Sequence, residues 1–494
     1  METVVSSLPF WACAVSLIAV VPIAANGAWP NLREGFTFLA GIIKLLLVLA
    51  MLPAVLDGKV LEFTFCQILP NTALQFRVDS FGLLFALVAS SLWLVTSLYS
   101  IGYMRGLKEH AQTRFYSFFA VSLSATIGVA FSANLLTLYV FYEILSLATY
   151  PLVTHHQDKD ARSGGRTYLT YLLGTSVGFA LPALIYVTWK TGGAMDFSSA
   201  GFLVGKIGPT EALILFLLLV FGFAKGGLMP FHSWLPGAMV APTPVSALLH
   251  AVAVVKVGVF CIIRVITGVF GVDYLLDLGI AGIISAVAAI TVVVSSLIAL
   301  SQDSLKRRLA FSTIGQLSYI ILGASLLAPS GMTGSIMHIA MHAFGKITLF
   351  FCAGAIFEAT GRKYISQLNG IGKTMPITMT AFTIGALSVV GLPLTGGLIS
   401  KFYLVSGTIE SRQYWMTAVY LISSLLNAAY FFPIVFRAFF TREPDPAFAG
   451  PMKEAHPCCV AALSFTAVCS VILFFFPGPF FWLADQTTRN LFGL

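Results

Sequence analysis

Charged side chains are scarce in this chain. Asp, Glu, Lys and Arg make up 10% of its 494 residues, against about 25% in a soluble domain. That scarcity excludes a water-soluble globule, because too little polar surface exists to cover it. Cysteine pairs of the C-x-x-C type are missing as well. Cys13, Cys66, Cys261, Cys352, Cys458, Cys459 and Cys469 lie mostly in apolar runs and read as small core residues. No Gly-rich nucleotide loop follows a strand pattern. The chain is therefore expected to hold no iron–sulfur cluster, flavin or ATP: no cofactor and no metal. A basic region before the first apolar stretch, residues 9–25, is also lacking, and more apolar stretches follow. That stretch reads as a span rather than a cleaved signal.

What the chain has in abundance is hydrophobic residues, 58% of the total, with mean hydropathy +0.90. They recur in runs of roughly 20 residues, the length at which a helix crosses a bilayer. The expected architecture is all-α and polytopic, with about fourteen transmembrane helices. These start near residues 9, 36, 80, 114, 133, 168, 211, 243, 278, 305, 333, 376, 413 and 458. Loops after odd-numbered spans hold about three times as many Lys and Arg as loops after even-numbered ones, which orients the odd loops to the cytoplasm. The chain is thus expected in the cell (inner) membrane, multi-pass, with both termini on the outer or periplasmic side. Its net charge of +8 is accounted for by this topology and does not call for nucleic acid.

Several charges fall inside apolar runs. Glu143 lies at the middle of the fifth span, Lys225 in the seventh, Lys256 in the eighth, Lys346 in the eleventh and Lys401 in the twelfth. Each costs roughly 2.5–3.5 kcal/mol at the bilayer centre, so each must be hydrated or paired. The bland alternative is structural ion pairing or snorkelling. Snorkelling fits Lys44, in the second span, as well as function does. A Glu143–Lys225 pair would hold or release a proton depending on whether the two are in contact, with Lys256 and Lys401 as later stations. His338, His342 and Lys346 are spaced i, i+4, i+8 and share one helical face within about 80°. Two histidines at i, i+4 suit zinc, but no third ligand is adjacent. A polar stripe feeding a water-filled path is the better reading. His250 lies six residues before Lys256 and, on a regular helix, points to a different face; it serves the loop-side end of the path or only packing.

Two spans are interrupted. KGGLMPFHSWLP (Lys225 to Pro236) and VVGLPLTGGLISK (Val389 to Lys401) carry Gly and Pro in the seventh and twelfth spans. Pro230 is expected to free a carbonyl near Gly226 and Gly227 and so open a polar pocket for Lys225. Gly391 and Pro393, ahead of Lys401, repeat the device. His232 and Trp234 read as packing of the half-helix. Ser132–Val153 also resembles Ser301–Leu322 in length and ends. Interrupted helices at matching positions in two halves point to a midplane ion site in an inverted-repeat transporter.

These residues resemble a known family. Lys225 to Phe260 looks like the signature of the antiporter-like membrane subunits shared by respiratory complex I, membrane-bound hydrogenases and Mrp cation/proton antiporters. NLLTLYVFYEILSLATY resembles the family's glutamate helix, with Tyr142 where Trp is common. MHIAMHAFGKITLFFCAGAIF, GLPLTGGLISKFYLV and RVDSFGLLF, with Asp79, match further family segments. The resemblance implies two inverted five-helix repeats. The chain would then divide into residues 1–110 (helices 1–3), 111–270 (first repeat, helices 4–8), 271–440 (second repeat, helices 9–13) and 441–494 (helix 14). It also implies that Glu143, Lys225, Lys256 and Lys401 translocate protons. The stretches APTPVSALLHAVAVVKVGVF and ISKFYLV look most like the D subunit of Mrp antiporters.

Three readings follow. The chain is part of a multisubunit Na⁺/H⁺ antiporter, the pumping membrane component of a redox complex, or a scaffold without an ion path. The retained Glu143 and lysines weigh against the scaffold. The expected partners are other membrane subunits, the bilayer, H⁺ and Na⁺, with no nucleic acid. Neither of the first two readings places redox or hydrolytic chemistry in this chain.

Overall fold

The structure is a computed structural model describing residues 2–441 and 451–494, and all their side chains except those of Leu69, Leu249 and His250. It is mostly helical, and the named helices are α1 (Leu8–Ala25), α2 (Pro30–Leu56), α3 (Ser80–Gly106), α4 (Gln112–Ala130), α5 (Leu135–Val153), α6 (Lys159–Thr191), α7 (Pro209–Gly222), α8 (Val254–Arg264), α9 (Ala281–Ser301), α10 (Leu305–Ser325), α11 (Pro329–Thr360), α12 (Pro376–Val390), α13 (Gly396–Glu410), α14 (Tyr414–Phe440), α15 (Pro457–Phe475) and α16 (Gly478–Phe492). Helix occupies every predicted segment. Among the described residues, nine helices are long and apolar enough to cross a membrane, ten if Val254–Phe270 and Val272–Leu278, bent by 81°, form one span. α7 and α12 are apolar but shorter, because each ends at one of the interruptions.

Short polar side chains set the helix starts. Asp79, Asn134 and Asp158 accept from the backbone N–H three residues on, at 2.8, 2.8 and 2.7 Å, opening α3, α5 and α6. Asp79 also takes both Arg264 guanidinium nitrogens at 2.7 Å, which ties α3 to the end of α8.

The all-α expectation omits a small sheet. Strands β1 (Thr3–Val5), β2 (Val60–Leu69) and β3 (Thr72–Val78) lie in that order, with β1 parallel to β2 and β2 antiparallel to β3. Pro70 and Asn71 make the hairpin turn, and Asn71 has φ 60°. The β-rich stretch VLEFTFCQIL was legible as a strand signal that the helix-length runs on either side overshadowed.

Helix α11 is the structural centre. Its apolar window is entirely buried, and it packs against α3, α10, α12, α13, α15 and α16. A helix that is mostly apolar on every face belongs in such a place, and its His338, His342 and Lys346 are buried with it. By contrast, only 33% of the α2 and α14 windows is buried, leaving faces fit for lipid. Span eight is not a regular helix. A π-helical turn, Leu248–Val252, precedes α8, and another, Val265–Phe270, follows it. Turns of this kind concentrate at functional positions.

Candidate functional site: a buried line of lysines and histidines

Glu143 sits on α5 with both carboxylate oxygens buried and without a hydrogen-bond partner. Such a group is costly unless it is neutral or meets a cation. Lys225, fully buried, lies in the short 3₁₀ turn Ala224–Gly226 that follows α7. Its Nζ donates to the Tyr142 carbonyl at 2.7 Å and to Ser146 Oγ at 2.6 Å, and stands 3.0 Å from the Tyr142 ring centroid. The Lys225 N–H also donates to Tyr142 Oη at 3.2 Å. Tyr142 and Ser146, at i and i+4, form one ledge on α5. Among the described residues no ion pair joins Glu143 to Lys225. The structure thus holds the predicted pair apart, with the ammonium parked on a ring and two oxygens beside the carboxylate.

The interruption differs from the expected one. α7 ends at Gly222, well before Pro230, and the cis Met229–Pro230 bond lies in the turn that follows. Pro230 therefore does not open the pocket for Lys225. The Ala224 carbonyl is taken by Trp234 Nε1 at 3.1 Å, so Trp234 does more than pack, and the lysine's partners come from α5. What brings the turn inward is Gly258 on α8. A Cβ there would overlap the Gly226 nitrogen and the Lys225 carbonyl carbon. The turn that carries Lys225 thereby lies against α8 within two residues of Lys256.

Lys256 is fully buried, and its Nζ meets Nδ1 of His342 in a short contact. His342 Nε2 has no partner. One turn away on α11 the His338 ring stacks on that of His342, with centroids 5.7 Å apart. His338 reaches Ser400 Oγ on α13 through Nδ1 at 2.8 Å, and Gln316 Oε1 on α10 through Nε2 at 3.0 Å. Lys346 turns aside from this line to Ser312 Oγ at 2.8 Å and the Leu309 carbonyl at 3.3 Å. The i, i+4, i+8 stripe thus exists, with its third member on a branch. Among the described residues no third ligand meets the two histidines, and Lys256 takes Nδ1 of His342 while Ser400 and Gln316 take both nitrogens of His338.

Lys401 lies on α13, after the second interruption. α12 ends at Gly391, which has φ 87°, a conformation that favours glycine. The chain passes Pro393 before α13 begins. Lys401 Nζ reaches back to the carbonyls of Val389 and Val390 at 2.8 and 2.9 Å, and to Ser424 Oγ at 3.2 Å. These are carbonyls that the broken helix leaves without intrahelical partners. Tyr319 bridges the two ends of this half. Its ring centroid lies 4.8 Å from Lys401 Nζ and 6.0 Å from the His338 ring.

Tyr142, Ser146, Tyr319, Gln316 and Ser400 were not singled out from the sequence as site residues. Only Tyr142 gave a signal, as the residue beside Glu143. Lys44 is also misread by snorkelling: it is fully buried, donates to Ser16 Oγ at 2.7 Å and lies 5.2 Å from the Trp93 ring. His250 belongs to the π-helical turn Leu248–Val252, but its side chain lies outside the described residues. That turn also voids the regular-helix arithmetic relating His250 to Lys256.

Residues 132–427 match the family described as NADH:quinone oxidoreductase/Mrp antiporter, TM. The chain belongs to this family. The antiporter-like chain is 34% identical to NADH-quinone oxidoreductase subunit N of Desulforudis audaxviator, over 72% of this chain and 70% of that protein. It is 30% identical to the probable K⁺/H⁺ antiporter A/B subunit of Rhizobium meliloti, over 94% of this chain and 48% of that one. It also matches putative antiporter subunit mnhA2 of Staphylococcus saprophyticus at 30%, over 92% and 58%. The chain spans about half the length of these antiporter relatives, whose names carry the letters A or A/B rather than D. Two solved structures share its fold. One is an archaeal membrane-bound sulfane sulfur reductase (TM-score 0.88, 24% identity, 98% of both chains), the other the Mrp complex of Dietzia sp. DQ12-45-1b (TM-score 0.84, 22% identity, 97% of both).

Proposed function

We propose that this chain is the proton-translocating subunit of a multisubunit monovalent cation (Na⁺)/proton antiporter. Protons move along Glu143, Lys225, Lys256, His342, His338 and Lys401, with Lys346 and His250 as side stations. The observation that carries the reading is the contact line from Lys256 through His342 and His338 to Ser400, continued by Tyr319 to Lys401. Lysine suits such a path because its proton affinity responds to burial, whereas arginine keeps its proton. Glu143 and Lys225 form the switch at one end: in contact they hold a proton between them, and apart the lysine rests on Tyr142. The interruptions after α7 and α12 are the matching elements of two inverted repeats, residues 111–270 and 271–440. We place both termini on the outer side of the cell membrane, from the distribution of basic loops.

A second reading is the proton-pumping membrane component of a complex I-like or hydrogenase-like enzyme, favoured by the identity to a subunit N over most of that relative's length. Inverted membrane vesicles containing the whole complex separate the two. With an imposed Na⁺ gradient and no electron donor, the antiporter reading predicts proton movement. Movement that starts only when a donor is added establishes the redox reading instead.

A further inference from the structure

A second polar cluster lies away from the proton line, where the α3–α4 loop meets the end of α5. Glu109 and His110 stand on the first, and His155 and His156 on the second. Three imidazole nitrogens converge on one carboxylate oxygen, Glu109 Oε2. These are His156 Nδ1 at 3.6 Å, His155 Nε2 at 3.8 Å and His110 Nδ1 at 3.9 Å. The ligand atoms of Glu109, His110 and His156 all lie within 4.8 Å of one another. Around a tetrahedral Zn²⁺ with bonds of about 2.0–2.1 Å, ligand atoms stand about 3.3–3.4 Å apart. The three approaches to Glu109 Oε2 are a few tenths of an ångström longer, within the reach of side-chain adjustment.

His155 supplies an independent sign of a missing partner. Its side chain is fully buried, yet neither ring nitrogen makes a hydrogen bond. The His110 backbone carbonyl lies beside the ring but outside hydrogen-bond geometry. A buried imidazole is costly in that state, and one nitrogen already faces Glu109. Both loops are held in place. Gln112 Nε2 donates to the Glu109 carbonyl at 3.1 Å, and Arg114 Nη2 to the His155 carbonyl at 2.8 Å.

We propose that Glu109, His110 and His156 form a binding site for a borderline divalent cation of the Zn²⁺ class, and that His155, 3.8 Å from Glu109 Oε2 but outside that close group, turns in as the fourth ligand when the ion binds. Three imidazoles and one carboxylate are a donor set that such ions prefer over Mg²⁺ or Ca²⁺. A bound ion ties α5, the helix of Tyr142 and Glu143, to the α3–α4 loop. Chain order alone does not reveal the cluster, since the EH and HH pairs are far apart and only the fold joins them.

The test uses the full chain in its native complex, purified without chelator, loaded with Zn²⁺ and desalted, alongside His110→Ala/His156→Ala. The expected result is one Zn²⁺ retained per wild-type chain and none at this site in the variant. Co²⁺ loaded in place of Zn²⁺ should give the strong visible bands of a four-coordinate nitrogen and oxygen site in the wild type alone. Equal metal in both proteins, or a weak six-coordinate Co²⁺ spectrum in the wild type, overturns the proposal. If the double variant fails to assemble, the wild-type Co²⁺ spectrum decides alone. Neither readout requires ion flux, so the outcome stands apart from the proposed function.

Discussion

Replacing Lys401 by alanine is expected to abolish proton movement while the complex still assembles. The side chain spans the second helix interruption and meets the Val389 and Val390 carbonyls and Ser424. Losing hydrogen bonds from a charged donor costs about 1.5–3 kcal/mol, a modest loss for a helix bundle this large. The transport loss is expected to be at least about a hundredfold, as when a proton-transfer group is removed. Lys401→Arg separates the two effects. Arginine restores charge and donors but does not release its proton, so assembly should return to wild type and flux should not. Flux in vesicles and complex yield by gel filtration are the measurements. Recovered flux with arginine would make Lys401 a structural clamp.

The second large effect is expected at Gly258. A methyl group there would overlap backbone atoms of Lys225 and Gly226, and backbone cannot swing away as a flexible side chain can. Overpacking typically costs about 1–3 kcal/mol, and here the strain falls on the turn that presents Lys225. Gly258→Ala should therefore lower complex yield and remove flux from the complex that still forms. Gly282→Ala, on α9, is the control, because a Cβ there meets nothing within 4 Å. Yield and flux equal to wild type in Gly258→Ala would mean that the close approach of the turn to α8 is not required.

The helices and deep charges were legible because each rests on local composition. A 20-residue apolar run or a lysine inside one can be read without knowing its neighbours. The partners were not. Lys225 resting on Tyr142 and Lys256 on His342 are contacts between distant segments. Pro230 misled for a related reason. Proline marks irregular backbone reliably, but the helix had already ended at Gly222, and the decisive residue, Gly258, looks ordinary inside an apolar run. The π-helical turn Leu248–Val252 has no local signature at all, and regular-helix face arithmetic does not apply across it. The β2–β3 hairpin had a clear alternating pattern but lay between two long apolar runs.

The central claim is that Glu143 and Lys225 form the proton switch. The most direct measurement is Na⁺-driven proton movement in inverted vesicles holding the whole complex, comparing wild type with Glu143→Gln and Lys225→Ala. The account predicts that both variants assemble and that both lose proton movement. Wild-type proton movement in both variants would contradict it.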